Sequence, residues 1–206
     1  MVLFDEEVCV LEQKIGTYPA GGTVFYGSSS IRLWTTLEAD FPGSQPVNIG
    51  FGGATLAACA WHFERLVVPA RPRALVLYAG DNDLGEGRQS EEVCLFFCAL
   101  AEKIQRHLPN VRVTFLSIKP SPARWHLVDE IRLANTLIAK AIADYPQFQF
   151  VDVSATMLTS NGQPDYNLYQ ADSLHLNENG YDCWRQQLTQ KSDALRIVTQ
   201  LDELRQ

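Results

Sequence analysis

The residues with the clearest chemical potential are Asp172 and His175, in the string DSLHLNENGY. A spacing of three lets a carboxylate reach the nearer imidazole nitrogen on one turn of chain, and the far nitrogen then faces outward as a base. A serine hydroxyl is a weak nucleophile until such a base takes its proton. Three adjacent serines, Ser28, Ser29 and Ser30, follow a short apolar run. Gly50, Gly52 and Gly53 leave backbone N–H groups uncovered, and Asn82 supplies an amide between Asp81 and Asp83. Taken singly these segments are ordinary turn chemistry, and Asn between two aspartates is often an Asx turn. Together, hydroxyls, open N–H groups, an amide and an Asp/His pair make the inventory of acyl transfer. His62, His107 and His126 lack a nearby carboxylate in a loop and read as helix-surface or partly buried residues.

Short apolar, β-branched runs alternate with segments of helical period, which is the βα pattern. The strand candidates are Thr23–Tyr26, Pro46–Ile49, Ala74–Tyr78, Val111–Ser117 and Phe148–Val153. They are nearly continuous in apolar residues, as parallel strands buried on both faces should be. The best helix starts at Ser90, read as an N-cap ahead of Glu91 and Glu92, with Val93, Phe96, Phe97, Leu100 and Ile104 at helical spacing. Other helical patterns cover Glu6–Ile15, Ile31–Asp40, Ala54–Val68, Trp125–Asp144 and Glu178–Lys191. The expectation is one domain over residues 1–206: a five-stranded parallel sheet with helices on both faces, a three-layer α/β/α sandwich. In such sheets ligands bind beyond the carboxyl ends of the strands. The chemical residues all fall there, in GSSS, GFGG, GDND, KPSP and the DSLH loop.

The strings VFYGSSSIRLW, NIGFGGATL, YAGDNDL and DSLHLNENGY resemble, in order and spacing, the four signature blocks of the SGNH or GDSL-like hydrolases. The resemblance spans about residues 23–184. It implies a flavodoxin-like sheet and a serine esterase or acylhydrolase acting on a small ester, with no cofactor and no metal. Carried over position by position, it makes Ser29 the nucleophile, Asp172 and His175 its partners, and Ser29, Gly53 and Asn82 the oxyanion donors. The chain has Ser28 where the family often has Asp, so Ser28 stands as the alternative nucleophile, and Gly52 as the alternative to Gly53. The start of a helix over Ile31–Asp40 is expected to favour negative charge at Ser29. Trp34, Phe51, Arg124 and Trp125 are the candidate substrate-binding residues, for acetylated sugars or short-chain lipid esters.

A net charge of −7 argues against nucleic acid as a partner, since phosphate backbones are bound by concentrated basic surface. No run approaches the ~20 apolar residues of a membrane helix, and the opening MVLFDEEVCV carries acids, so the expected location is the cytoplasm. The five cysteines form no CxxC pair, and Cys94 and Cys98 read as buried small hydrophobes. A helix over Ser192–Gln206 would pack on the domain or on a second subunit. Two rival readings follow from the same residues: a flavin- or phosphate-binding module built on the serine loop, and a metal-dependent hydrolase using Asp81, Asp83 and Glu86.

Overall fold

The structure, a computed structural model, describes residues 5–195. Its helices and strands run in the order α1 (Asp5–Ile15), β1 (Thr23–Gly27), α2 (Ser29–Arg32), α3 (Leu37–Asp40), β2 (Val47–Gly50), α4 (Leu56–Leu66), β3 (Ala74–Tyr78), α5 (Asp81–Gly85), α6 (Ser90–His107), β4 (Arg112–Leu116), α7 (Val128–Ile142), β5 (Phe148–Val151) and α8 (Glu178–Lys191). All strand pairs are parallel and the order across the sheet is β2-β1-β3-β4-β5. The five strands lie where the apolar runs placed them, within two residues at each end.

Alternation along each strand sends side chains to two separate apolar clusters. Val24, Tyr26, Leu75 and Leu77 join Val8, Phe63, Phe97 and Ile138 from α1, α4, α6 and α7 on one face. Phe25, Val76 and Tyr78 join Ile31, Leu37, Trp184 and Leu188 from α2, α3 and α8 on the other. No described helix is long and apolar enough to cross a membrane.

Several local expectations are corrected. The helix read over Ile31–Asp40 is broken into α2 and α3, because Trp34 turns inward and its indole N–H donates to Asp40 Oδ2 at 2.6 Å. The β-branched pair Thr35-Thr36 does little for a helix there, and the Thr36 hydroxyl donates to the same Asp40 oxygen at 2.7 Å. The N-cap of α6 is Gln89, which forms a reciprocal capping box with Glu92. Ser90 instead sends its hydroxyl across to the Glu130 carbonyl, 2.9 Å away. Residues Pro122–Leu127 form a 3₁₀ stretch, so α7 begins only at Val128. Cys94 and Cys98 are half-buried rather than enclosed. Most of the helix expected over 192–206 lies outside the described residues.

Gly27 ends β1 at φ 145°, beside Tyr78 of β3, and a Cβ there would stand 1.8 Å from the Tyr78 carbonyl oxygen. The adjoining Ser28 N–H donates to that oxygen at 2.9 Å. Gly27→Ala should therefore combine backbone strain of about 1–3 kcal/mol with overpacking of about 1–3 kcal/mol. Thermal unfolding should show it, at roughly 2–4 °C per kcal/mol; an unchanged melting temperature would mean β1 and β3 are not this close.

Candidate active site

The serine loop leaves β1 through Gly27 and enters α2 at Ser29. The three serines face different surroundings. Ser28 and Ser30 are each 1% exposed, and the Ser28 hydroxyl finds no hydrogen-bond partner among the described residues. Ser29 is half-buried, and its Oγ lies 3.1 Å from His175 Nε2. The two residues are 146 positions apart in the chain and meet only through the fold. With α2 a single turn, the long-helix dipole expected at Ser29 is absent. What remains is the Ser29 backbone N–H at the first position of the turn, one of the donors every helix start leaves unpaired.

His175 sits in a tight turn closed by an antiparallel bridge between Tyr169 and Leu176. Within it, the Gln170 N–H donates to the His175 carbonyl at 2.8 Å and the Ser173 N–H to the Gln170 carbonyl at 2.9 Å. Ser173 is held at φ 58°, a left-handed conformation costly for a non-glycine residue. The turn folds Asp172 back on His175: Oδ2 is 2.6 Å from Nδ1, while Oδ1 accepts the Leu174 and His175 N–H groups at 2.9 Å each. Desolvation raises the Asp172 carboxyl, but the His175 ring and those two N–H groups outweigh it and hold the group at about 2. An ionised Asp172 fixes the tautomer with the proton on Nδ1, leaving Nε2 as an acceptor toward Ser29.

Two further segments leave the sheet at the same carboxyl edge as Ser29. After β2 the chain passes Gly52, whose N–H donates to Glu7 Oε2 of α1 at 2.6 Å; Glu7 Oε1 also accepts from Arg32 Nη1 at 2.8 Å. Gly53, exposed and at φ 69°, offers an N–H that meets no acceptor among the described residues. After β3, Gly80 adopts φ 120° where a Cβ would press on Ile118 at 2.6 Å. Asn82 follows in α5; its Nδ2 donates one hydrogen to the Ala54 carbonyl at 3.0 Å, and its Oδ1 accepts from Arg124 Nη2 at 2.9 Å.

The two aspartates around Asn82 are committed elsewhere. Asp83 accepts the Leu56 N–H through both oxygens, at 3.1 and 2.9 Å, at the start of α4; burial lifts its carboxyl to about 6 against that hydrogen bond. Asp81 Oδ2 is paired with Arg124 Nη1 at 3.0 Å and with the 1%-exposed Lys119 at 3.3 Å. Burial lowers the Lys119 ammonium and Asp81 pulls it back up. Glu86, the third acid of the metal reading, is exposed, and no cluster of metal-binding side chains occurs among the described residues.

The expected substrate-binding residues divide. Trp34, at 1% exposure, packs against Phe25, Phe41, Tyr181 and Trp184, and Phe51 is fully enclosed beside Tyr26 and His62. Both are core residues, because their rings fill the two apolar clusters. Arg124 is turned into the Asp81–Asn82 pair, and Trp125 stays half-exposed on the same loop. A cleft of about 790 Å³ is lined by Leu33, Thr35, Gln170, Leu176, Asn177 and Tyr181 among others; Ser29 and His175 are not among its lining residues. Residues 33, 177 and 179 lie within the signature strings without having been given a role there, while residues 35 and 170 lie outside them.

The low value of Asp172 sets a pH test. A carboxyl lowered from 3.8 to about 2 contributes stability above 3.8 that is lost as the pH falls through about 2. In denaturant titrations the stability gap between wild type and Asp172→Asn should close across that window; a gap unchanged down to pH 2 would contradict the pairing.

The model of the GDSL-like Lipase/Acylhydrolase family matches residues 18–183. No curated protein sequence gives a significant match. Among solved structures, one provisionally named platelet activating factor from Streptococcus pneumonia superposes with a TM-score of 0.79 at 20% identity, covering 91% of this chain and 94% of its own. A GDSL-like lipase from Bacteroides thetaiotaomicron gives 0.73 at 21%, covering 89% and 95%. A carbohydrate esterase family 3 protein from Talaromyces cellulolyticus gives 0.68 at 14%, covering 89% and 99%. The parallel sheet, the segments at its carboxyl edge and the family match agree: this chain belongs to the GDSL-like lipase/acylhydrolase family and is a carboxylic ester hydrolase.

Proposed function

We propose that the protein cleaves small, polar esters with Ser29 as nucleophile, His175 as general base and acid, and Asp172 as the residue that orients the imidazole. The observation that carries this reading is the unbroken chain Asp172 Oδ2 to His175 Nδ1 at 2.6 Å and His175 Nε2 to Ser29 Oγ at 3.1 Å. Ser29 Oγ attacks the ester carbonyl carbon while its proton passes to His175 Nε2. The carbonyl oxygen becomes an oxyanion, held by the N–H groups of Ser29 and Gly53 and by the free hydrogen of Asn82 Nδ2. His175 then returns the proton to the departing alcohol, leaving an acyl group on Ser29. Water, deprotonated by His175, attacks that acyl carbon; the carboxylic acid leaves and Ser29 recovers its proton.

Two details support the assignments over their alternatives. The Gly52 N–H is already spent on Glu7, which leaves Gly53 as the open donor. The Ser28 hydroxyl is buried at 1% exposure, away from the contact that Ser29 makes with His175. The same burial of Ser28 and Ser30 removes two of the three hydroxyls that a flavin or phosphate cradle would use. The cleft that reaches Leu176, next to His175 in the chain, is lined mainly by Thr, Asn, Gln and acidic side chains, which suits a hydroxyl-rich leaving alcohol such as the sugar of an acetylated carbohydrate. The named carbohydrate esterase among the similar structures points the same way. We also read the chain as one domain.

Hydrolysis of p-nitrophenyl acetate by wild type, Ser28→Ala and Ser29→Ala tests the nucleophile. Ser29→Ala should lose activity and labelling by a serine-directed phosphonate, whereas Ser28→Ala should keep both; equal turnover by wild type and Ser29→Ala would overturn the mechanism. Asn82→Ala should lower kcat by about 10²–10³ with its fold intact; full activity would remove Asn82 from the oxyanion site.

A further inference from the structure

An asparagine that stabilises an oxyanion must present its NH₂ end to the substrate. Its two ends are nearly the same shape, so sterics alone do not stop the amide from turning over. Asn82 is constrained from two sides. The Ala54 carbonyl at 3.0 Å accepts only from an N–H, and the Arg124 guanidinium at 2.9 Å donates only to an oxygen. The second contact fixes the polarity of the amide, since a flipped Asn82 would set its NH₂ against a cation that has no acceptor.

Arg124 is in turn held. Its Nη1 reaches Asp81 Oδ2 at 3.0 Å while its Nη2 reaches Asn82, so one planar fork spans two neighbouring residues of α5. Asp81 is 5% exposed and shares that oxygen with the buried Lys119. The guanidinium lies over Gly85, where a Cβ would stand 3.0 Å from it, so the bare backbone of α5 makes room for the fork. Its loop is pinned to the histidine turn, because the Ala123 N–H donates to the Ser173 carbonyl at 3.0 Å. The Arg124 guanidinium thus sits on the oxygen side of the Asn82 amide. There it draws electron density through the amide and sharpens the Nδ2 hydrogens as donors.

We infer that Arg124 is a positioning residue for the oxyanion site: locked by Asp81, it sets which end of Asn82 faces the substrate and polarises that end. The inference rests on Asn82 being an oxyanion donor, as proposed above. It replaces the expectation that Arg124 contacts the acyl or alcohol part of the ester.

A double-mutant cycle on p-nitrophenyl acetate tests it, using wild type, Arg124→Ala, Asn82→Ala and the double variant, with folding checked by circular dichroism. Arg124→Ala should lower kcat about 10–100-fold, the scale of a misplaced catalytic group, with KM nearly unchanged. In the Asn82→Ala background the same change should have almost no effect. Arg124→Lys keeps the charge and the reach to Asp81 but not the fork, and should recover only part of the rate. Added guanidinium at millimolar concentration should partly restore Arg124→Ala and leave Asn82→Ala unmoved. Equal losses in both backgrounds, or a change in KM alone, would overturn the inference while leaving the nucleophile and oxyanion assignments standing. An Asn82→Ala variant as active as wild type would instead take away the oxyanion reading itself, and the role of Arg124 with it. Should Arg124→Ala fail to fold, Arg124→Lys runs the same cycle with the same two outcomes.

Discussion

The close approach of β1 and β3 at Gly27 and Tyr78 is the contact on which the site depends. These two strands occupy neighbouring positions in the middle of the sheet, paired in register from Thr23 with Ala74 to Gly27 with Tyr78. The backbone at Gly27 passes where no side chain fits, and the chain immediately turns so that Ser28 caps the carbonyl of Tyr78. That turn lifts Ser29 to the carboxyl edge of the sheet, while the loop from β3 delivers Asn82 to the same edge two residues beyond Gly80. A parallel sheet places all such exits on one side. Ser29 and Asn82 are thus carried to the same edge of the sheet by backbone packing.

Beneath this edge lies an uncommon concentration of buried charge. Lys119 and Asp81 are nearly inaccessible, and Lys119 lies 5.8 Å from the Tyr78 ring centroid. Removing two ions from water costs more than their attraction alone tends to return, so such a set is weak evidence for stability. Its geometric consequence is clearer. A buried carboxylate gripped by two cations has few alternative arrangements, and Arg124 inherits that rigidity. Glu7 acts comparably at the other side of the site, binding Gly52 and Arg32 at once and tying α1 to the loop that carries Gly53. These paired contacts hold short loops, which are usually mobile, in one arrangement.

The histidine arm is organised differently, through local backbone geometry. Ser173 bends the chain at positive φ, and both oxygens of Asp172 are occupied within four residues of sequence. The arm is long, running from β5 to α8, yet it is anchored by the Tyr169 hydroxyl, which donates to the Pro120 carbonyl, and by Asn177, which caps α8 by accepting the Gly180 N–H at 3.1 Å. The Tyr181 hydroxyl of α8 donates to the Ser30 carbonyl at 3.0 Å, joining the histidine arm to the serine loop. Asp172 and His175 are therefore preassembled as a unit, and the fold docks that unit onto Ser29.

What the sequence by itself determined is the part governed by neighbours along the chain. Apolar runs marked the five strands because parallel strands are buried on both faces, and the three-residue spacing of Asp172 and His175 marked their pairing because one turn of chain closes that distance. The serine, glycine and asparagine blocks were legible as chemistry for the same reason: each is compact in sequence. The tertiary structure decided everything that required distant segments to meet. It separated Ser29 from Ser28 by burying one hydroxyl and turning the other toward a histidine 146 residues away. It spent the Gly52 N–H on Glu7, moved Trp34 and Phe51 into the core, and broke the helix after α2 when the Trp34 indole found Asp40. Arg124 shows the reason most plainly. In sequence it is a lone cation in a loop, and its role depends on which carboxylate and which amide are within reach of its fork, a matter of three-dimensional proximity that no local pattern encodes.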